Sequence, residues 1–270
     1  MKNLFKKLLI LATSRLIKLF ANTLKMLNYP FYWLFPKTRF TLPEHANPLF
    51  KNNKTKSISR IIWQTNFTNK VTLPIYLNYL FNRMMAPHFE YRFMSTEARR
   101  EFINKYYPDV LPHYNRLQIG AAQADLWRLL VLHKFGGVYL DIDAHQIWPL
   151  SQVIGSENKE LYVSTRQGEF SNYFIASAPN NPNIANLVEQ IVKNIKENTL
   201  TNVFHITGPG VFNMLLDSEQ VPTVSYRYAV NQGNFTNEHF QYIDKPQGKW
   251  NKEQRNIRVI RPESTDNTKS

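Results

Sequence analysis

The chain of 270 residues has no cysteine. That excludes a scaffold built on disulfides and a zinc site built on thiolates. Acidic residues are scarce at its start. Residues 1–60 hold twelve Lys and Arg against Glu44 alone, a net +11, whereas residues 61–270 hold twenty-one against nineteen, a net +2. A near-neutral body argues against a basic nucleic-acid-binding face, and no nucleic-acid partner is expected, although a basic arm stays open. Long uncharged runs are missing from residues 4–28. The longest there, residues 8–14, has seven positions, and a bilayer span needs about 20. A cleaved signal peptide fits poorly, because charges recur at Arg15 and Lys18 and no clear small-residue cleavage site follows. No internal repeat is seen. Hydrophobic residues make up 43% and charged residues 20%, enough for a large core, and the length suits one generous α/β domain or two small ones.

The first segment is amphipathic. Residues 4–28 read as a helix with Lys7, Ser14, Arg15, Lys18, Asn22 and Lys25 on one side. Phe5, Leu9, Ala12, Leu16, Leu19, Phe20 and Leu27 fall on the other. Residues 29–40, YPFYWLFPKTRF, add six aromatics in twelve positions, and Tyr and Trp favour the headgroup region. Residues 1–40 therefore read as a membrane-surface contact; a helix packed on the protein's own core is the competing reading. Residues 44–57, with Pro48 and the run KNNKTK, read as a linker.

The body alternates strands and helices. Strands are expected at 57–64 (SISRIIWQ), 89–94, 138–140, 161–165, 173–177 and 257–260. Helices are expected at 74–85, 96–106 behind Ser95 as N-cap, 119–135 with Gly136 and Gly137 as its stop, 183–196 and 210–216. This alternation predicts an α/β sheet domain.

Chemistry concentrates in residues 121–145, AAQADLWRLLVLHKFGGVYLDIDAH. Asp141 and Asp143 flank Ile142 at the end of an apolar strand. Residues two apart on a strand share a side, so two carboxylates can face one hard cation, at the sheet edge where open α/β sheets bind ligands. Upstream, Asp125 and Arg128 share a helix face at i, i+3. They read either as an ordinary ion pair or as two groups reaching a cleft, the acid toward sugar hydroxyls and the guanidinium toward sugar or phosphate.

This run resembles the DXD-containing sugar-binding region of glycosyltransferase family 32, and it is similar to the catalytic core of the large glucosylating bacterial toxins. Asp125, Arg128, Leu132, Gly136, Gly137, Val138, Tyr139, Leu140, Asp141 and Asp143 carry the likeness. RIIWQT at 60–65, NYFIA at 172–176, and Thr207, Gly208 and Pro209 support it. The resemblance implies a GT-A fold with a mixed central sheet over residues 58–261. A membrane-surface segment (1–45) and a linker (46–57) would precede it, and a flexible tail (262–270) would follow. It also implies a nucleotide-sugar donor, UDP- or GDP-linked, and Mn²⁺ or Mg²⁺. Trp63, Gln64 and Thr65 would lie near the nucleotide, with Trp63 stacked on the base or packed as a core indole. Asp125 and Arg128 would hold the donor sugar, and Tyr139 would face it. Asp143 would ligate the metal directly, Asp141 would sit near the ribose, sugar or metal, and Asn172 would approach the reacting sugar. Gly208, Lys249 and Trp250 would complete substrate binding, Lys249 beside phosphate. Relatives often close the site with a late His or a Ser-x-Trp end. Gly248 offers no side-chain ligand here, so His239 or Asp244 stands as the third metal ligand, with a solvated loop residue as the competing reading of each. The implied activity is retaining transfer to a glycan or lipid-linked acceptor in bacterial surface polysaccharide synthesis, by a peripheral enzyme on the cytoplasmic face of the inner membrane. A non-catalytic protein of the same fold that binds nucleotide-sugar or glycan is the alternative.

Overall fold

A computed structural model describes residues 2–52, 56–245 and 248–262. Part of the expected linker (53–55) and nearly all of the expected tail (263–270) lie outside the described residues. In chain order the elements are α1 (Lys2–Leu34), β1 (Phe40–Thr41), β2 (His45–Ala46), β3 (Ile61–Thr65), β4 (Lys70–Val71), α2 (Leu73–Met85), β5 (Glu90–Met94), α3 (Thr96–Tyr106), α4 (Leu111–Arg116) and α5 (Gly120–Phe135). Then follow β6 (Gly137–Leu140), β7 (Ala144–Gln146), α6 (Leu150–Val153), β8 (Glu160–Ser164), β9 (Phe170–Ser177), α7 (Pro182–Glu197), α8 (Val203–Ile206) and α9 (Pro209–Leu215). The chain closes with β10 (Thr223–Ser225), α10 (Tyr226–Ala229), β11 (Val230–Gln232), α11 (Glu238–Tyr242) and α12 (Trp250–Glu253).

Seven strands form a mixed sheet in the order β10-β8-β9-β6-β3-β5-β2. At its centre β6, β3 and β5 run parallel, so their carboxyl ends, Leu140, Thr65 and Met94, open on the same edge. Side chains alternate across β6. Val138 and Leu140 enter the apolar layer under α2, and Tyr139 enters the opposite layer under α5 and α7. Helix α5 separates its sheet from solvent so fully that Leu126, Trp127 and Leu129–Leu132 are buried all round. The amphipathic α7 buries one stripe, Ile184, Leu187, Ile191 and Ile195, with Asn194 beside it. Local chemistry sets the helix starts. The Ser95 hydroxyl accepts from Ala98 N at 3.3 Å, and the Asn181 side chain accepts from Asn183 N and Ile184 N ahead of Pro182.

Two expected strands differ. The first begins only at Ile61, because a turn closed by Ile61 N donating to Ser59 O precedes it. Residues 257–260 form no strand. Ile260 makes one isolated bridge to Leu117, and the neighbouring carbonyls of Arg258 and Val259 accept from the side chain and backbone of Gln118. That segment ties the α4–α5 connection instead of extending the sheet.

Helix α1 is continuous through Pro30 to Leu34, longer than the expected 4–28. The stripe it turns to the body is Ile10, Ala21, Asn28 and Tyr32. Polar contacts reinforce it: Asn231 Nδ2 donates to Ser14 Oγ at 3.1 Å, and Lys25 Nζ donates to Gly233 O at 3.1 Å. Leu4, Phe5, Leu9, Leu16, Leu19 and Leu27 are exposed. Among the described residues no helix is long and apolar enough to cross a membrane.

Candidate active site

Two glycines let the site form. After α5 the chain passes through Gly136 (φ 65) and Gly137 (φ 109), a region that side-chain-bearing residues avoid. A Cβ on Gly137 would sit 2.7 Å from Ile61 O, so its absence allows β6 to lie against β3. The helix thus turns back on the sheet and delivers its acid, its guanidinium and the strand's carboxylates to one cleft of about 800 Å³.

Asp125 and Arg128 are buried on α5. Arg128 Nη2 pairs with Asp125 Oδ1 at 2.8 Å, and its Nη1 donates to Asn172 O at 2.6 Å and approaches Asp141 Oδ1 at 3.4 Å. The guanidinium also lies 4.2 Å from the centre of the Tyr139 ring. Asp125 has a donor for each oxygen besides: Asn172 Nδ2 at 2.9 Å on Oδ1 and Thr207 Oγ1 at 2.9 Å on Oδ2. Burial still pushes its pKa up to about 6, against the opposing pull of Arg128. The i, i+3 pair is therefore one part of a network that spans α5, β9 and the end of α8.

The aspartate pair leaves the sheet differently from a strand. β6 ends at Leu140, and residues 141–143 turn into β7, with Ala144 N donating to Asp141 O at 3.0 Å. The shared side expected from strand alternation arises from this turn. Gln64 Nε2 braces it by donating to Asp141 O at 3.1 Å, and Tyr139 OH donates to Asp141 Oδ1 at 2.6 Å. One amide spans both carboxylates: Gln232 Nε2 lies 3.0 Å from Asp141 Oδ2 and 2.9 Å from Asp143 Oδ1. Burial and the neighbouring Asp141 charge push Asp143 up to about 7. Two carboxylates that converge on a single amide nitrogen, with one resisting ionisation beside the other, suit a hard divalent cation.

Asp125, Arg128, Tyr139, Asp141, Asp143, Asn172, Thr65, Gly208, Lys249 and Trp250 all line the cleft. Trp63 does not. Its indole is buried beside Phe135, with Nε1 donating to Gly136 O at 2.9 Å, so it is a core residue, and no base can stack on it. Gln64 acts from behind the turn. His239 and Asp244 do not reach the aspartates either: His239 stacks on Tyr29, and Asp244 is held by Arg39 at 2.5 and 2.6 Å. No cluster of three or more His, Cys, Asp or Glu suited to a metal exists among the described residues. Thr207 and Gln232 are contributors that sequence reading did not assign. Thr207 stood inside a family-like piece. Gln232 carries no local signal, because the antiparallel pairing of β11 with β7 brings it to Ala144 and the turn.

Residues 74–161 match the glycosyltransferase sugar-binding region containing the DXD motif. Over those residues the chain is similar to glycosyltransferase family 32. Inositol phosphoceramide mannosyltransferase 3 of Schizosaccharomyces pombe is 34% identical over 92 residues, covering 34% of this chain and 26% of the relative. An uncharacterized glycosyltransferase, L373, of Acanthamoeba polyphaga mimivirus is 30% identical over 130 residues, 46% of this chain and 50% of the relative. This chain spans half or less of the length of these relatives. The solved PaToxG glycosyltransferase superposes with a TM-score of 0.50 at 19% identity over 80% of both chains. That likeness concerns the fold, and this family 32-like chain has the GT-A-type architecture.

Proposed function

We propose that this chain is a retaining, metal-dependent glycosyltransferase. It would move a sugar from a UDP- or GDP-linked donor to a glycan or lipid-linked acceptor in bacterial surface polysaccharide synthesis, at the cytoplasmic face of the inner membrane. The observation that carries the reading is the convergence of Asp141 and Asp143 on one amide nitrogen, in the cleft that also holds Asp125 and Arg128.

Transfer from a sugar diphosphate builds negative charge on the leaving phosphate. Mn²⁺ or Mg²⁺, held by Asp141 and Asp143, would neutralise that charge and orient the diphosphate. The protein's own groups do the rest. Lys249, on the cleft wall, would meet phosphate oxygens. Asp125, fixed by Arg128, Asn172 and Thr207, is rigid enough to accept from sugar hydroxyls at a set position. The carboxylates around the sugar stabilise an oxocarbenium-like transition state.

Asp143→Ala should abolish Mn²⁺-dependent turnover of a panel of UDP- and GDP-sugars while the circular dichroism spectrum is unchanged. Full activity of that variant in EDTA would end the assignment. Among the described residues no third acid or histidine groups with Asp141 and Asp143, and this favours a second reading, a nucleotide-sugar or glycan-binding protein without catalysis. Donor binding without any Mn²⁺-dependent donor hydrolysis would select it.

A further inference from the structure

Helix α1 is amphipathic in the reverse sense to a helix packed on its own core. A surface helix normally buries its apolar face against the body. Here the side opposite the body stripe presents Leu9, Leu16, Leu19, Leu27 and Trp33, with Trp33 82% exposed. Contiguous apolar surface of this extent is rare on a free-standing domain. The residues around it are basic: Lys6, Lys7, Arg15, Lys18 and Lys37 are exposed, within a segment of net charge +11. An apolar face with a cationic border complements an anionic bilayer surface. It does not complement a second copy of itself, which would bring like charges together.

The inward side of the same helix carries one wall of the cleft. Ser14 accepts from Asn231, Lys25 donates to Gly233 O, and Tyr29 OH accepts from Asn237 Nδ2 at 2.8 Å. Gln232, Gly233 and Asn237 line the cleft. The body thus hangs its active-site rim directly on α1. We propose that the exposed face of α1 seats on an anionic bilayer, and that this places the cleft mouth at the headgroups, so that the acceptor is carried by a membrane lipid. The second half of this inference rests on the transferase reading; the first half does not.

The test floats the full chain with vesicles of phosphatidylglycerol and phosphatidylethanolamine, and with vesicles of phosphatidylcholine alone. Wild type should float with the anionic vesicles, less so at high salt, and brominated acyl chains should quench tryptophan emission in a manner lost in Trp33→Phe. The triple variant Leu16→Glu, Leu19→Glu, Leu27→Glu should lose binding at least about tenfold, with its melting temperature and donor hydrolysis unchanged. Washed bacterial membranes supplied with labelled donor should take label into the organic extract with wild type and far less with the triple variant. A wild-type protein that stays in solution with anionic vesicles overturns the docking. So does a dimer in sedimentation velocity that persists when those vesicles are added. Label confined to water-soluble glycan, equal for wild type and triple variant, overturns the lipid-borne acceptor. Asp143→Ala should float like wild type, so an active Asp143→Ala would remove the transferase reading and leave the docking standing.

Discussion

Asp125 is a charge kept inside a protein, and its neighbours make that tolerable. A buried carboxylate without partners is among the costlier things a fold can contain; this one has a guanidinium, an amide and a hydroxyl. Arg128→Ala would leave it uncompensated and should cost about 3–5 kcal/mol in urea unfolding, whereas an exposed pair would cost under about 1 kcal/mol. Thr207→Val removes a single donor and should cost about 1–3 kcal/mol, with donor turnover reduced more than stability explains. His145 is a second buried polar residue, and neither ring nitrogen has a hydrogen-bond partner among the described residues. Set between Phe81 and Phe235, it is held neutral, its pKa lowered to about 4 by burial. Its folded value lies below the ordinary 6.5, so its contribution is intact above pH 6.5 and is lost as pH falls toward 4, by up to about 3 kcal/mol. Asp125 and Asp143, whose values are raised, titrate with the opposite sign, and only a difference isolates the imidazole. The stability of His145→Leu minus that of wild type should grow by about that amount between pH 7 and pH 4. A difference that does not change with pH would refute this account.

The α5–Gly–Gly–β6 unit is the element on which the site depends. Its glycines act sterically: Gly137→Ala would drive a Cβ into Ile61 O and near Trp63 Nε1. Since the backbone there is also at φ 109, the substitution should cost at least about 2 kcal/mol and lower donor affinity with it. Trp63→Phe should cost stability through the lost bond to Gly136 O while leaving donor KM unchanged, since the indole never faces the cleft. These elements were legible in the sequence because they are local. Ser95 and the apolar spacing mark α3 at its observed bounds, and the glycine pair marks the stop of α5. Asp125, Arg128, Asp141 and Asp143 could be assembled because one helix and the turn at the end of the next strand carry them. Trp63 stayed open between base stacking and core packing because alternation names two faces of a strand without saying which one a cleft opens on. Gln232 was missed because strand pairing brings it to Asp143 from 89 residues away. The 257–260 segment was apolar enough for a strand, but it meets the α4–α5 connection at Leu117 and Gln118 and no strand of the sheet.

At the scale of the molecule, the central sheet divides two apolar layers that are not independent. β6 sends Val138 and Leu140 into one and Tyr139 into the other, and β3 divides likewise, with Ile62 facing one layer and Trp63 the other. Strands shared in this way cannot lose one layer and keep their register, because a loosened β6 takes the opposite face with it. The chain should therefore unfold in one step over the sheet, whichever side is weakened. Leu140→Ala truncates a side chain 1% exposed in the layer under α2 and should cost about 2–5 kcal/mol. Tryptophan fluorescence reports mainly on the other layer, through the buried Trp63 and Trp127. In Leu140→Ala its urea midpoint should fall by the same amount as the far-ultraviolet circular dichroism midpoint. Ile191→Ala, made in the layer under α7, should behave in the same way. Two separated midpoints in either variant would mean that the layers melt independently. In that case the aspartate turn, which follows directly on Leu140, could be lost while Asp125 and Arg128 stayed folded.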